Sequence, residues 1–528
     1  MNRLWWGRIA AHFSLGGFVV LLALAAIYGG FLSRHVNAYA GGSDSSGYLN
    51  QARLLRAGSL HLEIRPLSDD APSDPLIVSP LGFKCAPDRK RIVPTYPVGL
   101  SLWLALGSSL FGWNDGPGVI MVCFGVLGMV LTGVAGLAFG LSEVWAIVAA
   151  VVVAASPLYL AMALLAMSDV PALVFATAAM LAVVRGGDSQ IRRHGVWCAM
   201  AGVLFSIGVL IRPTNSILLF AVIAGLGFRL ERWLWFGLGS LPALLFLGCY
   251  NHSLYGSCFS TGYGDPQLNV RWFPVTMVNY IHWLPLLLTP VIFGGLALGL
   301  KAVFFDRKTR MLVAWIVSFA AFYSFYPNTH EFWWYLRFLL PCSPALVIAG
   351  LLGMRRILLH SRLGASLFRF DVAITRDREA GGSPRFYRGR QVLNGVAVAG
   401  ACAFVLVNAV FWSNRLSAMG IAHDERTYVQ TAGWLKQHVP ANAVLATMQY
   451  SGAAMFYTDF PIVRWDRMEP TEFTKMKKTL RATKRPLFAV LFPFEIAEQH
   501  AFERHLPGKW MEVGRIHDVS VWKCDAGP

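Results

Sequence analysis

Eleven stretches of this chain are apolar for long enough to cross a bilayer, and no other feature of the sequence constrains the fold as strongly. A crossing helix needs ~20 residues with few charges, because hydrocarbon offers an open backbone no hydrogen-bond partner. The stretches lie near 12–33, 118–139, 144–164, 169–185, 195–211, 214–228, 233–250, 283–300, 311–326, 335–353 and 393–413. With 55% hydrophobic and only 14% charged residues over 528 positions, the chain is no water-soluble globule. It is expected to be an α-helical polytopic membrane protein. The first stretch is too long for a signal-peptide core and no small-residue cleavage site follows it, so it is expected to stay as a membrane helix.

The net charge of +17 follows from where the arginines fall rather than from a nucleic-acid partner, which is not expected. Arg3 and Arg8 place the N-terminus inside. The loops that then fall inside carry Arg185, Arg192 and Arg193, next Arg229 and Arg232, then Lys301, Arg307, Lys308 and Arg310. The largest, 354–392, is studded with arginine from Arg355 to Arg390. A multi-pass protein of the cytoplasmic (inner) membrane is expected. The segment 94–112 is short and opens on Pro94 and Pro97, so it is read as a helix in the outer interface rather than a twelfth crossing. Asp44, Asp169, Arg212, His330 and Glu331 then all fall on the outer side.

The domain expectation is 1–413 for the membrane part, with an outer loop at 34–117 that carries juxtamembrane helices, and 414–528 for a small soluble α/β module outside. Helical periodicity in the module runs over 427–438 and 472–483, and strand patterns over 443–448, 486–492 and 519–522. Cys123, Cys198, Cys249, Cys342 and Cys402 fall in apolar runs, where thiols act as small hydrophobes. Cys85, Cys258 and Cys524 lie in polar segments without the spacing of a zinc cluster.

Asp44 opens a short amphipathic segment just after the first apolar stretch, in Gly42-Ser43-Asp44-Ser45-Ser46-Gly47-Tyr48. It is followed by Tyr96-Pro97-Val98-Gly99, by Met167-Ser168-Asp169-Val170-Pro171 and by Ile211-Arg212-Pro213. A late Tyr335-Leu336-Arg337-Phe338-Leu339-Leu340-Pro341 completes the series, with Tyr428, Trp434-Leu435 and Val439-Pro440 in the module. In this order the landmarks resemble the GT-C superfamily of polyprenyl-phosphate-sugar-dependent glycosyltransferases. That superfamily includes the protein O-mannosyltransferases and the aminoarabinose transferases of lipid A. Two departures stand out: Ser45 follows Asp44 where many relatives have a second acid, and Val93-Pro94-Thr95 lacks the Glu of the aminoarabinose type.

The resemblance implies an inverting transferase of the cell envelope that takes a sugar from a polyprenyl-phosphate donor. Its acceptor, whether protein, lipid or wall glycan, is left open. Such chemistry needs a base for the acceptor proton and cations for the departing phosphate. Asp44 and Asp169 are the catalytic candidates, although an acid at a helix start also serves as an N-cap. Arg337 and Arg212 are candidates for the donor phosphate, since a guanidinium presents a planar, permanently charged fork. Tyr48, Tyr96, His330 and Glu331 are candidates for substrate contact. The turn at Tyr263-Gly264-Asp265-Pro266 is assigned no role. No cofactor is assigned, and a divalent ion is left open. A lipid or solute transporter and a non-catalytic glycolipid-binding relative are the rival readings.

Overall fold

The computed structural model describes residues 13–67, 74–191, 193–263, 272, 274–289, 306–326, 332–360 and 384–525. Its first helix, α1 (Leu15–His35), is followed by the short α2 (Ser43–Arg56) and a two-stranded antiparallel ribbon of β1 (Phe83–Cys85) and β2 (Ile92–Pro94). The helical body continues with α3 (Val98–Phe139), α4 (Glu143–Ala155), α5 (Pro157–Ala163), α6 (Asp169–Gly186) and α7 (His194–Ile211). A 3-10 turn (Pro213–Leu218) leads to α8 (Leu219–Leu226) and α9 (Leu230–Tyr255). Then come α10 (Pro274–Leu288), α11 (Arg307–Tyr323), a 3-10 segment (Trp333–Cys342) that runs into α12 (Ser343–His360), and α13 (Pro384–Arg415).

Every expected crossing overlaps helix in its described part. The polytopic helical fold is therefore as expected, but the crossings are less uniform than eleven equal spans. Among the described residues six helices are long and apolar enough to cross, and eight if each sharply bent pair is one span. The stretch 144–164 is one such pair, because Pro157 opens a new helix and α5 departs from α4 at 65°. The stretch 214–228 is split into a 3-10 turn and the short α8, and α11 has 17 residues. Most of the stretch expected at 283–300 lies outside the described residues, as does most of the arginine-rich 354–392 loop.

The segment expected in the interface forms the first limb of α3. It is joined to the crossing limb through Gly112, whose φ of 76° and ψ of 173° only glycine adopts readily. The limbs fold back on one another so closely that a side chain at Gly116 would collide with the Gly107 backbone. Trp315, Phe319 and Tyr159 are fully buried in the apolar core between helices, where the Tyr159 hydroxyl donates to the Gly125 carbonyl at 2.6 Å.

The C-terminal region begins with α14 (Ala418–Asp424), whose Ala418 still packs into the helical core, and α15 (Arg426–His438). A five-stranded sheet follows, formed by β3 (Val444–Ala446), β4 (Ile462–Val463), β5 (Leu487–Leu491), β6 (Trp510–Ile516) and β7 (Val519–Cys524). Its order is β4-β3-β5-β7-β6, parallel in the first three strands and antiparallel in the last two. Helix α15 and the short α16 (Ser451–Tyr457) pack on one side, with α17 (Pro470–Ala482) on the other. The small α/β module is as expected, with β4, β6 and α16 in addition. Strand β6 escaped the hydropathy pattern because it is an edge strand with no fully buried side chain.

Candidate active site

The site is assembled on α2, a helix buried from Ser45 to Ala52 despite its polar composition. Its polar groups are satisfied by three different neighbours. Gln51 donates to the Tyr250 hydroxyl at 2.8 Å, Ser101 donates to the Tyr48 carbonyl at 2.9 Å, and Asn50 donates to the Gly452 carbonyl of the C-terminal module at 2.9 Å. A buried polar helix holds its place only when such partners are supplied. Gly47 of α2 lies on the Gly82 backbone, so this face tolerates no side chain at either position.

Asp44 sits in the first turn of α2 but does not cap it. The cap residue is Gly42, and no side chain closes the helix end. The Asp44 carboxylate instead turns inward, accepting from the Tyr96 hydroxyl at 2.5 Å and from Arg337 at 2.7 Å. Asp169 behaves alike: Ser168 occupies the cap position without a capping bond, and the Asp169 carboxylate pairs with Arg212. The capping role open to both acids is thus not taken up. Arg337 lies between the two acids, 2.7 Å from Asp44 and 3.9 Å from Asp169.

The two guanidiniums share an aromatic bed. Arg337 lies over the Trp334 and Phe338 rings at 5.6 and 5.3 Å, and Arg212 over Phe338 at 4.8 Å. The other face of Phe338 is stacked on Tyr323, whose hydroxyl bonds to Thr214 just beyond Arg212. Such rings hold a cation by its quadrupole and keep water from it. Arg337 Nε is buried and has no hydrogen-bond partner. Burial pushes the Asp44 carboxyl up, but Arg337, Tyr96 and the more distant Arg212 outweigh it and hold the group below the usual aspartate range.

Tyr48 and Tyr96, both substrate candidates, pack as a tilted pair with ring centroids 4.9 Å apart beside Asp44. Tyr263 adds a ring edge-on to Tyr96 at 6.0 Å, so this residue belongs to the site, although the sequence assigned its turn no role. Gly264 to Pro266 lie outside the described residues, as do His330 and Glu331. Six of the expected residues, Asp44, Asp169, Arg212, Arg337, Tyr48 and Tyr96, are brought together from five separate stretches of chain.

Sequence reading missed the aromatic bed and a third acid. Trp334 and Phe338 could have been found, since they stand one 3-10 turn before Arg337 and directly after it. Glu425 could not: it stands between two helices, 383 residues from the Gly42 amide it accepts from. Among the described residues no three His, Cys, Asp or Glu side chains come together as a metal site. Both carboxylates of the cluster face guanidiniums, so a cation would have to displace one of them.

The chain is similar in structure to ArnT from Cupriavidus metallidurans in the apo state, at 16% identity over 97% of this chain and 99% of that one, with a TM-score of 0.57. The same protein bound to undecaprenyl phosphate gives 16% identity, 98% and 100% coverage, and a TM-score of 0.56. An oligosaccharyltransferase of Archaeoglobus fulgidus tethered with an acceptor peptide gives 10% identity over 93% of this chain and 71% of that one, with a TM-score of 0.54. No protein-family model matches the sequence, and no curated protein matches it. The fold is that implied by the GT-C resemblance, a polytopic helical body carrying a C-terminal module.

Proposed function

We propose that this chain is a membrane glycosyltransferase that takes a sugar from a polyprenyl-phosphate donor and passes it to an acceptor with inversion at the anomeric carbon. The observation that carries the proposal is Arg337, a buried guanidinium set between two carboxylates, with one nitrogen unpaired. A phosphate oxygen is the acceptor to which such an N–H donates best. Arg212, on the same aromatic bed, is the second cation for that phosphate. Similarity of fold to a protein captured with undecaprenyl phosphate supports a lipid-linked donor.

The chemistry follows from the pairing. In the free site Asp44 is a weak base, because Arg337 and Tyr96 stabilise its charge. A donor phosphate draws Arg337 towards itself and leaves the Asp44 carboxylate less compensated, hence more basic. Asp44 then accepts the acceptor's proton as its oxygen or nitrogen attacks the anomeric carbon. The bond from that carbon to the phosphate oxygen breaks, and polyprenyl phosphate leaves with its charge held by Arg337 and Arg212. Asp169 keeps Arg212 in position throughout. Tyr48, Tyr96 and Tyr263 offer ring faces to the sugar. We place the site on the outer face of the cytoplasmic membrane, with the N-terminus inside, on the strength of the arginine-rich loops. The module at 414–528 would cover the acceptor's approach. Sugar and acceptor are left open.

The test is an assay of purified protein in bilayer discs with a panel of radiolabelled polyprenyl-phosphate sugars, for the wild type and Asp44→Asn. Label leaving the donor pool in the wild type, and loss of that activity in a variant that still binds donor, is the expected result. Intact donor in both, with lipid moved across the bilayer instead, would sink the proposal in favour of transport.

A further inference from the structure

Glu425 lies at the junction of α14 and α15, yet its carboxylate is spent on α2. Its oxygens accept from the Gly42 amide at 3.0 Å and lie 2.9 and 3.0 Å from the Ser45 hydroxyl, which donates to them. The carboxylate is pressed so closely on Gly41 that any side chain there would collide with it. It thus takes the place of the missing cap: the end of α2, left open by its own residues, is closed from the C-terminal part of the chain. A carboxylate also suits the positive end of a helix. Asp44 stands between the two groups that Glu425 holds.

We infer that Glu425 is a positioning residue of the proposed transfer site: by fixing the first turn of α2 it sets the Asp44 carboxylate against Arg337 and Tyr96. The inference rests on the transfer reading for its effect on turnover, but not for its effect on the helix. Burial pushes the Glu425 carboxyl up to about 7, against the Gly42 and Ser45 bonds that favour its charge, and Asp44 adds to the rise. The titratable groups around it are Asp44 on α2, Tyr428 on α15 and Tyr457 on α16. Its chain neighbours His423, Asp424 and Arg426 are exposed, and Arg426 bonds to Asn37 instead. Because burial raises this carboxyl, the closed turn holds its proton more tightly than an opened one, so the Glu425 contribution is complete below the ordinary glutamate pKa and is lost as pH rises through about 7.

The experiment uses the full chain in bilayer discs, as wild type, Glu425→Gln, Glu425→Asp and Ser45→Ala. Hydrogen exchange of the 41–48 segment and turnover of a labelled polyprenyl-phosphate sugar are both followed from pH 5.5 to 8.5. In the wild type, protection of the segment should fall as pH rises through about 7. Glu425→Gln should flatten that fall and lower turnover about tenfold at pH 8, the worth of one charge-assisted hydrogen bond. Donor KM should stay within about threefold, since the lost group acts on chemistry and not on binding. Glu425→Asp should restore part of the pH dependence, and Ser45→Ala should reproduce part of the loss. A Glu425→Gln variant with wild-type exchange at every pH, or with wild-type turnover at pH 8, overturns the inference while leaving the transferase reading standing. Exchange that follows Glu425 in a wild type that consumes no donor upholds the positioning role and sinks the transferase reading instead.

Discussion

Two buried acid centres in this molecule are built on opposite principles. Glu495, in the module, is fully buried without a cation, accepting from the Phe492 amide at 2.7 Å and from the Gln449 amide and Trp465 indole at 3.2 Å. Every bond it needs comes from the module itself. The Asp44 and Asp169 centre draws charge from four segments, balances two carboxylates with two guanidiniums, and still leaves Arg337 Nε unpaired. On the proposed function, the difference separates a structural acid from a working one. A group with all its partners in the fold gains nothing from a ligand, whereas one left short is an invitation to a polar guest.

Substitution at the two centres should break or sharpen that contrast. Asp44→Asn should produce the largest effect, a loss of about 10²–10⁴ in turnover with donor binding retained. Equal loss in Glu495→Gln, measured in the same transfer assay, would erase the distinction. Arg337→Lys keeps the charge but not the fork, and should weaken donor binding about 10-fold to 100-fold in equilibrium binding of polyprenyl phosphate. Unchanged affinity would mean that the unpaired nitrogen serves no phosphate.

The contrast also has a pH signature. Burial raises the Glu495 carboxyl to about 7, against its hydrogen bonds from Phe492, Gln449 and Trp465. A raised carboxyl holds its proton more tightly when folded, so its stabilising share is complete below the ordinary glutamate pKa and is lost as pH rises through about 7. The thermal midpoint of the full chain should therefore fall between pH 5 and 7, by about 2–5 °C. Glu495→Gln should flatten that slope, leaving the part due to Glu425, and should spare donor turnover. A slope unchanged in Glu495→Gln would assign the pH dependence elsewhere. The smallest effect is expected at Gly112, between the two limbs of α3. Gly112→Ala forces a side chain into a glycine-only conformation and should cost about 1–3 kcal/mol in an unfolding titration, with donor affinity unchanged.

Much of this was legible in the residues, and the limit is instructive. Apolar length located the helices, because the bilayer's demand on the backbone is one-dimensional. The breaks were harder: Pro157 inside an apolar run and Gly112 between two limbs are local signals whose bend depends on what packs around them. At the site, Asp44, Asp169, Arg212 and Arg337 were found because an ionised group at a membrane helix end stands out against its surroundings. Their partners were not, since pairing Arg337 with Asp44 joins residues 293 positions apart. The acid that Ser45 seemed to lack beside Asp44 is present in space as Glu425, which sits in a stretch with no periodicity to mark it.

The hydrogen bond from Gly42 to Glu425 closes a loop of 383 residues. Translation at about 5–20 residues per second puts roughly 20–80 s between the synthesis of its two ends. Throughout that interval α2 has no cap and Arg337, for most of it, does not yet exist. If the proposed roles hold, the nascent protein occupies its membrane without touching the donor pool, and a chain cut short before its last quarter is silent rather than unregulated.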